Sequence, residues 1–160
     1  LAEAVRPHLP PLLQEAAVWR LVYSLEQHGV SLRTLYTKVQ DQGPTFLALA
    51  DGEGRLLGAF VSDDVHVDAV HYYGNGSTFV WSCPAADPWA VQAYHATGAN
   101  TYLVLTTPTF MAFGGGEGRF GLWLDAELYN GHSGPCQTFN NKQLSTQAEF
   151  VCERLEVWSF

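Results

Sequence analysis

The glycines carry the spacing most suggestive of chemistry. Gly114-Gly115-Gly116-Glu117-Gly118-Arg119-Phe120-Gly121 holds a GxGxxG pattern at Gly116, Gly118 and Gly121. A dinucleotide site needs that pattern between a strand and a helix, so that the helix N-terminus meets the pyrophosphate. Here Leu122-Trp123-Leu124-Asp125 follows and reads as strand, and no suitable acidic residue ends a second strand about twenty positions on. The run is therefore read as structural. Glycine within strands marks bulges, bends or the close approach of a ring, and Phe110, Phe113, Phe120 and Trp123 are at hand to pack over it.

Other constellations are weighed in the same way. His71-Tyr72-Tyr73-Gly74-Asn75-Gly76 could offer an imidazole base beside phenol hydroxyls. No neighbour in sequence orients the ring, so a turn on Asn75-Gly76 with packed tyrosines is the favoured reading. His66 and His71 with Asp63, Asp64 and Asp68 match neither an EF-hand loop nor an HExxH helix, and read as a solvated acidic loop. Asp125 and Glu127 share a strand face in this reading, as surface carboxylates. Cys136, in Ser133-Gly134-Pro135-Cys136-Gln137, is expected to be more exposed than Cys152, and His132 lies close enough in sequence to lower its pKa. Cys136 and His71 are thus the only catalytic candidates, and no cofactor or metal site is expected.

These groups need elements to position them. Residues 1–9 read as a short helical extension that Pro10 and Pro11 end, leaving one domain over residues 10–160. Trp19–Ser24 is rich in β formers, and His28-Gly29 breaks it. Ser31 caps a helix whose Leu32, Leu35, Tyr36 and Val39 fall on one face. From Pro44 the period becomes two: Thr45–Ala50 and Arg55–Ser62 form a hairpin about Asp51-Gly52-Glu53-Gly54. Strands are also predicted at Ser77–Cys83, Thr101–Thr107, Phe110–Gly114, Arg119–Leu124 and Phe150–Phe160. Many short strands and few helices predict a mainly β, α+β fold: two antiparallel sheets packed as a sandwich, flanked by short helices.

Composition narrows the partners. The chain has 160 residues, with 8 Lys and Arg against 16 Asp and Glu, giving a net charge of −8. That acidic balance excludes nucleic acid and disfavours anionic membranes, whereas a basic protein surface fits it. No apolar run reaches the length of a membrane span. The start is no signal peptide, since Glu3, Arg6 and Pro7 interrupt it. It begins at Leu1 and is read as part of something longer. Three cysteines, an odd number without CxxC spacing, suit reduced thiols inside the cell.

Five blocks in order resemble one family, the TLDc domain. They are Trp19–Ser24 with His28-Gly29 and Ser31–Tyr36; His71-Tyr72-Tyr73-Gly74 with Gly76, Thr78 and Phe79; Gly114–Gly118 running into Arg119-Phe120-Gly121-Leu122-Trp123-Leu124-Asp125; Thr138–Asn141; and Leu155–Trp158. The resemblance covers about residues 10–160 and is that of a chain carrying this domain alone. It implies a two-sheet sandwich and an intracellular protein, cytoplasmic and recruited to acidic organelles, that protects against oxidative stress. It also implies a monomeric, non-enzymatic module that binds peripheral-sector subunits of the vacuolar proton pump (V-ATPase). The alternative is a thiol antioxidant or enzyme acting through Cys136. Glu117 stands where relatives often continue with glycine, and Cys83–Trp89 is richer in proline than the family pattern.

Overall fold

The computed structural model describes residues 1–160. Short helices α1 (Ala2–Val5) and α2 (Pro11–Gln14), with a 3-10 turn between them, precede β1 (Arg20–Ser24), α3 (Leu25–His28) and α4 (Leu32–Val39). Nine strands follow: β2 (Thr45–Asp51), β3 (Leu56–Val61), β4 (Phe79–Cys83), β5 (Gln92–His95), β6 (Val104–Thr106), β7 (Phe110–Phe113), β8 (Leu122–Asp125), β9 (Asn130–His132) and β10 (Glu149–Ser159). All pair antiparallel, in the order β5-β4-β3-β2-β10-β9-β8-β7-β6, with β1 also on β10.

The mainly β fold expected from sequence is present, and its two layers are joined. The C-terminal part of β10 pairs with β1 and β2, while its first three residues, Glu149–Val151, pair with β9. The layers face each other across one main core. Leu47, Leu49, Leu57, Ala59 and Val80 come from one layer, and Val104, Met111, Phe113, Leu122 and Leu124 from the other.

Strand β10 can serve both layers because of a bulge. Phe150 and Cys152 point into the main core at even positions, then Leu155 and Val157 at odd ones. The phase changes between Cys152 and Arg154, where the pairing register with β2 shifts. Glu153 and Arg154 are consequently both exposed. One inserted residue reverses which face the following side chains meet, and sharpens the local bend. At the other end, Gly131 lies opposite Phe150, whose ring occupies the space a Cβ would take.

A second core lies on the outer face of the β2–β4 layer, where Phe46, Phe60, Phe79, Trp81 and Cys83 project. Val5 and Leu9 from the first nine residues are fully part of it. Arg6 stitches this segment together by donating from Nη1 to the carbonyls of Gln14 and Ala16, each at 2.9 Å. Trp81 is fully buried, and its indole N–H donates to the Leu47 carbonyl at 3.3 Å. It reaches across β3 only because Gly58, its partner there, has no side chain: a Cβ would collide with that same carbonyl.

Helix α4 closes one end of the main core. Ser31 Oγ accepts the Thr34 N–H at 3.3 Å, and Leu32, Leu35 and Val39 are buried, as the spacing predicts. The predicted hairpin is β2–β3. The turn is held by Asp51, whose carboxylate accepts N–H groups from Glu53, Arg55 and Thr146. Burial raises the carboxyl pKa, but those donors, Thr146 foremost, outweigh it and hold the group below its usual range.

The bulge supplies a stability test. Deleting Glu153 forces either Phe150 and Cys152 or Leu155 and Val157 out of the core. With roughly 1.5–3 kcal/mol per large apolar side chain, the deletion should cost about 3–6 kcal/mol in urea unfolding. Glu153→Ala should stay within about 0.5 kcal/mol of the parent. A deletion variant with the parent's midpoint would mean the phase change is dispensable.

Candidate functional site

The glycine run leaves β7 and enters β8 without a helix, so no helix N-terminus faces a phosphate. Gly116, Glu117 and Gly118 form a left-handed loop with φ of 103°, 56° and 73°. Its rear is locked. The Gly114 N–H donates to the Leu103 carbonyl at 2.9 Å, the Gly115 N–H to Thr138 Oγ1 at 2.8 Å, and the Gly121 N–H to the Phe113 carbonyl at 3.0 Å. A Cβ on Gly114 would stand 2.6 Å from Cys136 Sγ and 2.8 Å from the Phe139 ring. A Cβ on Gly118 would meet nothing within 4 Å. The rings over the run are thus Phe139 and Tyr102, not the four expected from sequence: Phe110 packs instead with Phe120 and Trp123, at centroid distances of 5.9 and 6.3 Å.

The structure brings the tyrosine cluster to this loop and leaves its histidine outside. Tyr72 pairs with Tyr102 at 5.0 Å between ring centroids, and its hydroxyl borders Gly115. Tyr73 bridges Val104 through backbone hydrogen bonds, while its hydroxyl contacts Thr106 Oγ1 at 2.8 Å. Gly74 turns the chain at φ 94°. His71 is exposed and meets only Asp68, with Nδ1 3.1 Å from Oδ2. The Val70 N–H, with His71, holds the Asp68 carboxyl below its usual range. The His66 ring lies tilted against that of Tyr73, with 4.0 Å between centroids, and no three His, Cys, Asp or Glu side chains converge here.

Cys136 keeps the expected order, 7% exposed against 5% for Cys152, but it is not an exposed thiol. The residue is buried, its thiol donates to Asn141 Oδ1 at 3.1 Å, and the Asn141 amide donates to the Gly134 and Lys142 carbonyls. Burial raises its pKa. His132 is engaged elsewhere, with Nδ1 2.8 Å from Glu149 Oε1. Cys83 and Cys152 are also buried with raised pKa values, that of Cys152 pushed up to about 12. A buried, uncharged thiol is a poor nucleophile.

Asp125 and Glu127 do not act as a pair. Asp125 ends β8 and caps the turn to β9, accepting N–H groups from Tyr129 at 2.9 Å and Asn130 at 3.2 Å, while Glu127 lies within the turn. The capped turn holds buried Leu128 at φ 52° and leaves Tyr129 exposed.

That turn is one wall of the largest concavity, an open groove of about 510 Å³. Val151–Glu156 of β10, spanning the bulge, run between two walls: the β8–β9 turn at the Val151 end, and Ser24, Leu25, Glu26 and Val30 at the Glu156 end, where β1 joins β10. Leu25, Val30, Tyr129 and Val151 are its accessible apolar side chains, while Leu128 and Leu155, also against it, are buried in the main core. Sequence reasoning missed this groove because it is assembled from three distant segments. The available signal was the acidic residues Glu26, Glu153 and Glu156 set among apolar ones.

A two-layered antiparallel scaffold, joined by one shared strand and pinned by a left-handed glycine loop, is a different class from the α/β folds that cradle dinucleotides. The chain belongs to the TLDc domain family, whose model matches residues 1–160. It is 39% identical over 164 residues to oxidation resistance protein 1 of Yarrowia lipolytica, covering 99% of this chain and 70% of that protein. Identity to human oxidation resistance protein 1 is 38% over 160 residues, again 99% of this chain but 18% of the relative. Chicken nuclear receptor coactivator 7 is 41% identical over 143 residues, 89% of this chain and 15% of the relative. The chain thus spans most of the fungal relative and less than a fifth of the vertebrate ones.

The thiol geometry has a direct readout. In native protein at pH 8, an aromatic disulfide reagent should label less than one of the three thiols per chain within minutes, and all three in guanidinium. Cys136→Ser should leave peroxide consumption unchanged. Rapid stoichiometric labelling of Cys136 would contradict the burial described.

Proposed function

We propose that this chain is a non-enzymatic, monomeric protein-binding module of oxidative-stress protection, which docks on peripheral-sector subunits of the vacuolar proton pump inside the cell. The family supports the stress role, since two of the relatives above are named for oxidation resistance. The pump as partner comes from the TLDc resemblance. One observation carries the binding reading: the largest concavity is an open groove lined by apolar side chains and carboxylates. Exposed apolar side chains within a polar rim are what protein interfaces use. The net charge of −8 favours a basic partner surface. No helix is long and apolar enough to cross a membrane, so in this reading the pump brings the chain to the organelle surface.

The thiol alternative through Cys136 has less support, given that residue's burial and its bond to Asn141. His71 has only Asp68 beside it at an exposed loop, a pair with no nucleophile to activate.

Capture from cytosol by the tagged, folded chain tests the docking reading. Peripheral-sector pump subunits should be enriched at low salt and fall away by about 0.5 M NaCl, where surface charges are screened beyond a few ångströms. No enrichment at low salt would count against the pump as partner.

A further inference from the structure

We propose that the groove over the β10 bulge binds an extended segment of a partner protein in which Lys or Arg alternates with apolar side chains. This rests on the protein-docking reading above and adds to it the place of contact and the chemistry of the occupant.

The groove's own chemistry specifies that occupant. Its floor is six consecutive residues of one strand, about 20 Å at strand rise, a length that suits a short extended segment. Val30 and Tyr129 stand on opposite walls, 59% and 54% exposed, so each wall offers an apolar side chain that the fold itself leaves uncovered. Three carboxylates, those of Glu26, Glu153 and Glu156, line the groove against a single cation, Arg154. Glu26 and Glu153 take part in none of the chain's three ion pairs, and neither does Arg154. Glu156 accepts only the Trp158 indole N–H, at 3.0 Å. The adjoining concavity shares Val151 and Glu153 and adds Glu53 and Glu149, so the acidic field continues along the strand.

The same charges exclude competitors. A second copy of this chain brings another net −8 to an acidic lining. Nucleic acid and anionic lipid are repelled likewise. A purely apolar ligand would desolvate carboxylates without pairing them. A segment alternating cations with apolar side chains satisfies both the apolar walls and the carboxylates, because successive residues of an extended chain face opposite ways.

The bulge gives the site its form. Only where the phase of β10 changes do two successive side chains, Glu153 and Arg154, project outward together. Asp125, through its cap on the β8–β9 turn, is a positioning residue that holds Leu128 and Tyr129 against that floor.

The probe is a fluorescent octapeptide alternating Leu and Lys, with an octapeptide alternating Ser and Lys as its charge-matched control, read by anisotropy against the whole chain. The Leu-Lys peptide should bind at least tenfold more tightly than the Ser-Lys peptide. Glu26→Lys with Glu153→Lys should weaken Leu-Lys binding at least tenfold. Glu15→Lys with Asp63→Lys, an equal change of net charge away from the groove, should change it less than twofold. All four positions are exposed, and an unchanged melting temperature confirms that each pair of substitutions leaves the fold intact. Absence of peptide binding, equal binding of both peptides, or equal losses in both charge-reversed chains would overturn the proposal. Capture of pump subunits, measured in parallel, separates the two readings. Peptide binding without pump capture supports the groove and defeats the pump; pump capture without peptide binding does the reverse.

Discussion

Both layers depend on one strand changing phase. β10 runs eleven residues without leaving the sheet, yet its two ends belong to different layers. A regular strand of that length would present one set of alternate side chains to the core throughout. Phe150 and Cys152 satisfy the β9 end, and Leu155 and Val157 the β1–β2 end, only because Glu153 is an extra residue between them. The energetic consequence is two buried pairs instead of one. The consequence for the surface is an outward kink where Glu153 and Arg154 project together into the groove.

The rest of the fold keeps that strand in place from both sides. On the outer face, the N-terminal segment seals Phe46, Phe60, Phe79 and Trp81, and the Trp81 indole ties β4 to β2 over Gly58. On the far layer, the glycine loop is fastened to residues 136–141 by Thr138, Phe139 and Cys136. Several of the residues that look chemical in sequence have structural contacts. Gly114 admits a sulfur and a ring, Tyr73 bridges a strand, and Asp125 caps a turn.

Elements whose burial is local were legible in the sequence. Leu32, Leu35 and Val39 repeat at helical spacing, and the β2–β3 hairpin alternates about a turn of Asp and Gly, because each has one face to bury. β5 and β9 were not legible: Gln92–His95 and Asn130–His132 are polar or bare, and become strands by pairing with β4 and β8. The bulge left a trace that alternation alone overlooks, since Phe150, Cys152, Leu155 and Val157 are spaced by two, three and two. Burial of Cys136 had no local trace. Its small, polar neighbours read as an exposed turn, while the contacts that cover it, from Gly114 and Asn141, are set by tertiary folding. The groove was hidden for the same reason, its walls being about a hundred residues apart in the chain.

Hydrogen–deuterium exchange of the chain, alone and bound to the purified peripheral sector of the pump, tests most directly whether the kinked strand is where this domain grips another polypeptide. Protection should concentrate on Leu25–Val30, Leu128–Tyr129 and Val151–Glu156, with the glycine loop unchanged. Protection confined to Gly114–Gly121 or to the His71 loop, with Val151–Glu156 exchanging as in the free chain, would contradict the account.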